Sequence, residues 1–306
     1  MFNKIKKKLI EFLQINSLKK ENEQIKLALG KLLSDINSKK NPSEIEEIEF
    51  KIFSQFGDDG IIQFLIKKIN LDESLRTFVE FGVENYQESN TRFLLFNNNW
   101  SGLIIDSSSK NVSQIKNSNY YWKYDLEAIC SFVTKKNINN ILEKSIITKK
   151  IGLLSIDVDG NDYWIWESIN YVDPIIVVIE FNSNFGFDEK ITVPYKEDFM
   201  RTKEHYSNLY WGTSLGALQF LAKKKGYTFI CTNTAGNNAY FVKEDFCKNL
   251  NLNFKKNFFN AKFRESRDKN GTKNYLRGKE KINEIKELEV INVENNQKLK
   301  ISEILK

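Results

Sequence analysis

The sequence has no long apolar run and few cysteines. No stretch approaches the ~20 consecutive apolar residues that a membrane-spanning helix needs. The three cysteines, Cys130, Cys231 and Cys247, show no metal-ligand spacing and cannot all pair with one another. Lysines occur near the N-terminus, but no apolar segment and small-residue cleavage site follow them, so we expect no secretory signal. Together these absences predict reduced thiols and a cytoplasmic protein.

The sequence also lacks the Gly-x-Gly-x-x-Gly fingerprint of dinucleotide-binding folds. After the first predicted strand there is only Gly82, with Glu80 and Glu84 beside it. Two carboxylates at this position would repel a pyrophosphate. A cationic cofactor suits such an acidic loop better, which disfavours an ordinary nicotinamide-dependent dehydrogenase.

Apolar segments of strand and helix length alternate through the middle of the chain. At 306 residues and 41% hydrophobic content, the chain can bury a sizeable core. We predict strands at 77–82, 102–106, 120–124, 151–157, 175–181, 227–232 and 238–242. We predict helices at 58–69, 89–98, 126–142, 163–170 and 213–225, and one further amphipathic helix near 279–290 in the C-terminal part. This alternation is typical of an α/β fold with a mostly parallel, doubly wound, Rossmann-like sheet.

The last two predicted strands depart from this rhythm. Only residues 233–237 separate them, which is too short for a parallel crossover, so they must form an antiparallel hairpin. A seven-stranded, mostly parallel sheet that ends in an antiparallel hairpin strand matches class I S-adenosylmethionine-dependent methyltransferases.

The chain divides into three predicted parts. Residues 1–48 form a helical extension that packs on the core or on a partner subunit, which allows a homo-oligomer. A membrane-surface helix is an alternative because Lys4 and Lys6 to Lys8 cluster. The methyltransferase-like core covers 49–247, and a basic extension covers 248–306.

The C-terminal extension carries most of the net charge of +6. From Lys255 to Lys281 there are seven Lys and three Arg against three acids, an excess of 10 − 3 = +7. The segment is either a solvated helical face or a surface that attracts an anionic substrate. Nucleic acid is disfavoured because the rest of the chain is nearly balanced and shows no nucleic-acid motif.

Acids end two successive predicted strands. Glu80 ends the first strand and Asp106 the second, with one helix length between them. Open α/β sheets bind ligands at the carboxyl ends of their strands, and an acid after the second strand can accept hydrogen bonds from both ribose hydroxyls. These acids either cap helices or bind a nucleoside-containing cofactor, and two in succession favour the cofactor.

Several motifs in this region resemble the FkbM-type group of class I methyltransferases. They are Ser54–Gly60, Glu80–Glu84, Ser89–Arg92, Trp100–Asp106, Asp157–Trp164 and Tyr210–Leu215, and the resemblance covers about residues 50 to 245. It implies that S-adenosylmethionine is the cofactor. By that resemblance Gln55 and Asp58 reach over the cofactor, and Asp125 lies near its adenine. The remaining residues assigned to this pocket are Glu80, Gly82, Glu84, Asn90, Asp106 and Asp157.

A second group of acids follows the fourth predicted strand. Asp157, Asp159 and Asp162 fall within six residues, and Glu180 ends the next strand. Carboxylates placed this close together repel one another unless protons or a cation relieve the repulsion, and hard oxygen ligands suit Mg²⁺ or Ca²⁺. The resemblance to sugar methyltransferases suggests Asp159, Glu180 and Asn182 as metal ligands. Phe181 and Asp162 stand where that pattern has an acid and a histidine, so solvated acids that only shape the pocket are an alternative.

Proton removal and substrate contact are assigned to three acid–base candidates and three aromatic residues. Asp162, Asp159 and the lone His205 are the candidates for catalysis, although a loop histidine is often an ordinary surface residue. The segment 183–212 is a candidate substrate lid. The aromatic residues that could stack on a sugar are Tyr195, Tyr210 and Trp211.

The leading hypothesis is an O-methyltransferase, and the resemblance implies that its acceptor is a carbohydrate or capsular polysaccharide building block, either free or linked to a nucleotide or phosphate. One alternative is a phosphatase that uses Asp157-x-Asp159-Gly160. That motif lies on the fourth strand here, and the later acidic segment that such enzymes need is missing. Another alternative is a non-catalytic protein that binds a partner through its helical ends.

Overall fold

A computed structural model describes residues 2–250 and 252–305; the side chains of residues 2–14, 16, 19 and 249 are outside this description. Ten α-helices are present among the described residues: α1 Phe2–Ser38, α2 Asp58–Lys68, α3 Arg92–Asn98, α4 Ser109–Lys116, α5 Ile138–Lys144, α6 Asp162–Ser168, α7 Arg201–Glu204, α8 Leu215–Lys225, α9 Lys279–Ile285 and α10 Ile301–Ile304. The ten described strands are β1 Thr77–Phe81, β2 Ser101–Asp106, β3 Leu126–Cys130, β4 Lys150–Ile156, β5 Asp173–Glu180, β6 Ile191–Thr192, β7 Tyr227–Thr232, β8 Asn238–Lys243, β9 Glu289–Asn292 and β10 Gln297–Lys300.

Seven strands form the main sheet in the order β3-β2-β1-β4-β5-β8-β7. The first five are parallel, whereas β8 is antiparallel to both of its neighbours, β5 and β7. The loop at 233–237 turns the chain back, as its length predicts. This order, with an antiparallel strand inserted next to the last position, is the class I methyltransferase arrangement and confirms the predicted fold class.

Two apolar layers cover the faces of this sheet. Successive strand residues point to opposite faces, so Phe78 and Val79 of β1 belong to different core clusters. One cluster packs under α2, α3 and α4, and the other under α5, α6 and α8. The sheet is therefore covered on both sides, and ligands have access only at its ends.

The predicted third strand and the helix after it are wrong. Residues 120–124 form a turn, and the strand is Leu126–Cys130, which pairs with β2 from Gly102 to Asp106. Leu, Glu and Ala favour helices, but pairing with the neighbouring strand and burial of Leu126 and Ala128 override this preference. Helix α4, which Ser108 caps through its hydroxyl, was not predicted.

The C-terminal extension forms part of a second, three-stranded sheet. Its order is β10-β9-β6, so the last strands of the chain pair with a segment that lies between β5 and α8. The predicted helix over 279–290 is too long: α9 ends at Ile285, and Val290 lies in β9. Val290 and Ile285 are both buried against Ile191 and Phe199, and this packing favours the strand.

Most of the N-terminal extension is the helix α1, and a short 3₁₀ turn at Ile45–Glu47 follows it. The core-facing side of α1 carries Gly30, Ser34 and Asn37, which are buried against α2, α3 and the following loop. The basic cluster at Lys4 and Lys6 to Lys8 lies outside the described side chains. Within residues 2–250 and 252–305, no helix is long and apolar enough to cross a bilayer.

Candidate functional site

A cavity of about 600 Å³ lies at the carboxyl ends of the central parallel strands. We call it the cofactor cavity. Residues that end or follow β1, β2, β4 and β5 line it, namely Glu80, Asp106, Asp157 and Glu180. This is the edge at which open α/β sheets bind their ligands, as the sequence predicts.

The carboxylate of Asp106 is held in one orientation at the end of β2. Its Oδ2 accepts a hydrogen bond from the Glu84 amide at 2.8 Å, and its Oδ1 accepts from the Ser108 amide at 2.8 Å and from Asn111 Nδ2 at 3.2 Å. The side chain is 8% exposed and lines the cavity. A carboxylate fixed in this way presents its remaining lone pairs in a defined direction, which suits paired hydroxyl donors.

Gly82 allows the ends of β1 and β4 to approach each other. Its φ is +71°, and a Cβ built on it would lie 1.8 Å from the carbonyl oxygen of Asp157. Any larger residue would force these two strand ends apart. The same tight turn brings Glu84, with a φ of +48°, beside Asp106.

Glu80 has a more structural environment than the sequence predicts. Its carboxylate accepts hydrogen bonds from the Ser89 hydroxyl, the Asn90 amide, and both the amide and hydroxyl of Thr91. Burial raises its pKa, whereas these donors lower it. Glu80 lines the cavity, but most of its hydrogen-bonding capacity anchors the loop before α3. Asn90 lies on that loop and also lines the cavity.

Asp157, Asp162 and Glu180 approach one another closely enough for one ligand atom of each to lie within 4.8 Å of the others. Burial, followed by repulsion from neighbouring acids, raises the pKa of Asp157 and of Glu180. Burial raises the pKa of Asp162 to about 6. Glu180 Oε2 is buried and has no hydrogen-bond partner among the described residues. The group therefore favours a proton or a cation between these side chains.

The predicted metal-ligand set differs from this observed group. Asp159 has a side chain 68% exposed that lies 3.8 Å from the Arg201 guanidinium. Asn182 donates to the carbonyls of Leu209 and Trp211, and its Oδ1 accepts from Asn184. The side-chain amide of Asn182 is thus already hydrogen-bonded within its own loop. Of the three predicted ligands, only Glu180 belongs to the group formed with Asp157 and Asp162.

Two of the predicted catalytic residues, Asp162 and His205, do not line the cofactor cavity. Asp162 is fully buried, and its two oxygens accept the amides of Val158 and Gly160 at 2.8 and 3.0 Å. It closes the turn before α6. His205 pairs with the Ser207 hydroxyl at 2.7 Å through Nδ1 and packs on Tyr206, and burial lowers its pKa.

Two predicted cofactor contacts also lie elsewhere. Asp125 is exposed and precedes β3, so it is at the amino end of that strand, opposite the cavity. This error follows directly from the misplaced third strand. Asp58 is fully buried, and its Oδ1 accepts from Asn233, Asn238 and Tyr240. It joins α2 to the β7–β8 hairpin.

A second cavity of about 420 Å³ adjoins the first. We call it the acceptor cavity. Both cavities are lined by Gln55, Glu180, Arg201 and Asn237, so these four residues form a shared wall. Of the predicted sugar-stacking residues, Trp211 lines the acceptor cavity, with the Arg201 guanidinium 4.4 Å from its ring centre. Tyr195 and Tyr210 instead pack in the protein: the Tyr195 hydroxyl accepts from the Lys135 amide and Tyr210 donates to the Glu289 carbonyl.

Sequence reasoning missed two parts of the site. Ser131, Phe132 and Val133 follow β3 and line the cofactor cavity, and the correct strand boundary would have identified them. Arg201 lines both cavities and pairs with Glu265 of the C-terminal extension. No local pattern signals that contact, because 64 residues separate its two partners.

The chain has weak overall likeness to several solved methyltransferase structures. No family model matches it, and no curated protein matches it significantly. A Staphylococcus aureus protein provisionally assigned as a caffeoyl-CoA O-methyltransferase is 14% identical, covering 71% of this chain and 99% of its own, with a TM-score of 0.42.

Two further structures give similar values. The Bacillus cereus O-methyltransferase in complex with SAH is 10% identical over 71% of this chain and 90% of its own, with a TM-score of 0.39. A Clostridium acetobutylicum S-adenosylmethionine-dependent methyltransferase is 11% identical over 61% and 90%, with a TM-score of 0.36. At these values, function has to be argued from the chain's own topology and side chains, and the FkbM-type resemblance stays a prediction.

Proposed function

We propose that this protein is an S-adenosylmethionine-dependent O-methyltransferase. The observation that carries the proposal is the fixed carboxylate of Asp106 at the end of β2, inside a cavity whose sheet has the class I strand order. Asp106 would accept hydrogen bonds from the two ribose hydroxyls. The acids around it, including Glu84 and Asp157, suit a cofactor that carries a sulfonium and an ammonium group.

Methyl transfer needs the acceptor oxygen in line with the sulfonium methyl, so positioning supplies much of the rate. Two adjoining cavities with a shared wall would bring cofactor and acceptor together there. Glu180 lies in that wall with a buried oxygen that has no partner among the described residues, so it is placed to take the acceptor's proton. This assignment replaces Asp162 and His205 as the proposed base.

The same acids also fit a divalent cation in number and in the type of donor atom. Asp157, Asp162 and Glu180 would hold Mg²⁺, which would lower the pKa of an acceptor hydroxyl. If Mg²⁺ is required, excess chelator should abolish methyl transfer, and added Mg²⁺ should restore it. Full activity in excess chelator would contradict a metal requirement. The positive charge of the cofactor would then have to offset the negative charge of these acids.

We further propose a carbohydrate acceptor, of the kind used to build surface polysaccharides. The lining of the acceptor cavity supports this because it mixes polar and charged side chains with aromatic ones, including Trp211. Such a mixture is typical of sites that hold a hydroxyl-rich ring.

Cofactor binding is the first test. We expect calorimetry to detect S-adenosylhomocysteine binding to the full chain, and Asp106→Ala to weaken it at least tenfold through loss of charge-assisted hydrogen bonds. Asp125→Ala is the matched control, because this acid lies at the opposite end of the sheet. The affinity of this variant for S-adenosylhomocysteine should equal that of the unaltered chain. Equal affinities for Asp106→Ala and Asp125→Ala would refute the cofactor assignment.

A further inference from the structure

The C-terminal extension forms one wall of the acceptor cavity, and that wall is cationic. Arg264, Lys273 and Lys281 line the cavity together with Arg201. Only two carboxylates, Glu180 and Glu265, lie in the same lining. The excess of positive charge predicted for residues 255–281 is therefore partly directed into this cavity.

Only one of the four cations, Arg201, forms an ion pair with a carboxylate of the lining. Glu265 forms an ion pair with Arg201, and Glu180 lies on the side of the cofactor cavity. Among the described residues, Arg264, Lys273 and Lys281 have no carboxylate within ion-pair distance. Arg264 donates through Nε to the Tyr275 carbonyl at 3.2 Å, which leaves its terminal nitrogens available.

Lys281 shows that this wall is part of the packed structure and not only a set of solvent-exposed side chains. The residue is only 6% exposed, and its Nζ donates to the Phe263 carbonyl at 2.5 Å. An ammonium group has three hydrogens to donate, and a buried one is costly without an anionic partner. Burial lowers the pKa of Lys281 accordingly.

We propose that Arg264, Lys273 and Lys281 form a subsite for a phosphoryl group carried by the acceptor. The inference rests on the proposed function, because it names a part of that enzyme's substrate. Arg and Lys bind phosphate oxygens through charge-assisted hydrogen bonds, and three cations match a dianion better than a single carboxylate. The acceptor would then be a phosphorylated or nucleotide-linked sugar with its reacting hydroxyl at the shared wall.

The test is calorimetric titration of inorganic pyrophosphate into the full chain saturated with S-adenosylhomocysteine. We expect Arg264→Gln and Lys273→Gln, both at exposed positions, to weaken binding about tenfold each. Lys262→Gln lies in the same basic segment but outside the cavity lining, so its affinity should stay within twofold. Equal losses in all three variants, or no binding by the unaltered chain, would overturn the subsite.

Two further measurements distinguish a phosphoryl group from a carboxylate as the bound anion, and distinguish failure of the subsite from failure of the proposed function. Glucose 1-phosphate should compete with pyrophosphate, whereas glucuronate should not; the opposite order would indicate a carboxylate subsite and overturn the phosphoryl assignment. S-adenosylhomocysteine affinity is measured in the same variants and should not change. If that cofactor does not bind at all, the proposed function fails, and the titration of the free chain still decides the anion subsite.

A separate observation concerns helix α1. Its exposed face carries large apolar residues that are between 47% and 66% exposed. They follow a seven-residue repeat in which positions a and d are occupied by Ile15, Leu18, Asn22, Ile25, Leu29, Leu32 and Ile36. Sustained a/d spacing of this kind is the signature of a coiled-coil seam.

The core-facing side of α1 lies roughly opposite this seam. Leu27 packs with the cluster around Phe93, and a Cβ on Gly30 would lie 2.6 Å from the Phe93 ring. Glu23 forms an ion pair with Arg92 of α3. The contacts to the core therefore leave the a/d stripe exposed, with no partner among the described residues.

We propose that α1 pairs with α1 of a second copy in a parallel two-stranded coiled coil. Asn22 occupies an a position, where a single polar residue selects this register and pairing. Glu21 at g and Lys26 at e are both exposed and five residues apart, so each would face the other's charge across a parallel seam. The stripe of 22 residues spans about 33 Å, or three heptads.

Sedimentation velocity of the full chain tests this pairing. We expect a dimer that Ile25→Asp combined with Leu29→Asp converts to a monomer, whereas Gln24→Asp with Lys31→Asp, off the seam, leaves it dimeric. In a Cys130→Ser background, oxidised Asn22→Cys should cross-link into dimers and Gln24→Cys should not. A monomeric unaltered chain would refute the coiled coil, and a dimer without cross-linking at residue 22 would refute its parallel orientation.

Discussion

The cofactor cavity and the acceptor cavity are neighbours, yet the chain builds them in different ways. Most of the cofactor cavity is formed by short segments that directly follow successive strands, and Asp106 is held there by nearby residues such as Ser108. The acceptor cavity joins segments that are far apart in sequence, as the pairing of Arg201 with Glu265 shows. The edge of the sheet thus provides most of the first cavity, whereas the second cavity depends on the packing of the C-terminal extension.

The strongest perturbation of the cofactor cavity is Gly82→Ala. The added Cβ would meet the Asp157 carbonyl at 1.8 Å, so we expect S-adenosylhomocysteine binding to be lost and the free energy of unfolding to fall by about 3 kcal/mol or more.

Gly226→Ala is the matched control for this change. Gly226 also has a positive φ, +78°, but nothing lies within 4 Å of its added Cβ. Backbone strain alone should cost about 1 kcal/mol and leave cofactor affinity intact. Urea unfolding and calorimetry measure both quantities, and similar losses in the two variants would show that the close approach to Asp157 is unimportant.

Asp58→Ala tests the hairpin that lies beside both cavities. The change removes the acceptor for Asn233, Asn238 and Tyr240, all buried, so we expect a loss of about 3 kcal/mol in unfolding free energy. Asp58→Asn keeps one acceptor oxygen and should lose less. Cofactor affinity of the folded variants should change little, since Asp58 lies outside the cavity walls. A large loss of affinity at unchanged stability would instead support a direct cofactor contact.

Titration of Asp59 tests how the loop that carries Gln55 is stabilised. Gln55 belongs to the wall shared by both cavities. The Oδ2 of Asp59 accepts the amides of Ile52, Phe53 and Ser54, while burial raises the pKa of this acid from 3.8 to about 6. Because the folded pKa is above the unfolded value, this group's stabilising contribution is full below about pH 4 and is lost as pH rises through 6.

The expected loss is on the order of 3 kcal/mol between pH 4 and pH 7. Asp59→Asn removes the titrating group, so the difference in urea stability between it and the unaltered chain should change over this range. A difference that is constant with pH would contradict the raised pKa.

The smallest expected effect is at His205. This residue lies on the segment that borders the acceptor cavity, but its ring contacts Ser207 and Tyr206 rather than a cavity wall. We expect His205→Gln to change the methyl-transfer rate less than twofold across the pH range. A loss of a hundredfold or more, with a changed pH profile, would restore His205 as the general base and displace Glu180.

The parts that could be predicted are those with local causes. The strand boundaries near Gly82 and Asp106 follow from short apolar runs that end in acids, and the five-residue loop at 233–237 dictates the antiparallel hairpin. The prediction of the third strand was wrong because residues 126–128 have helical preferences, which pairing with β2 overrides. Because of that one error, Asp125 was predicted at the wrong end of the sheet, and Phe132 was not predicted as a residue of the cavity.

The sequence by itself determined the wound sheet, its reversed last strand and the acids at its ligand-binding edge, because periodicity and loop length act over a few residues. Only the tertiary structure decided which acids meet, replacing Asp159 and Asn182 with Asp157 and Asp162 beside Glu180. It also decided that Arg264, Lys273 and Lys281 of the basic C-terminal segment line a cavity, and that β9 and β10 form a second sheet with β6. Contacts between residues far apart in the chain depend on how whole elements pack, and no local pattern encodes that packing.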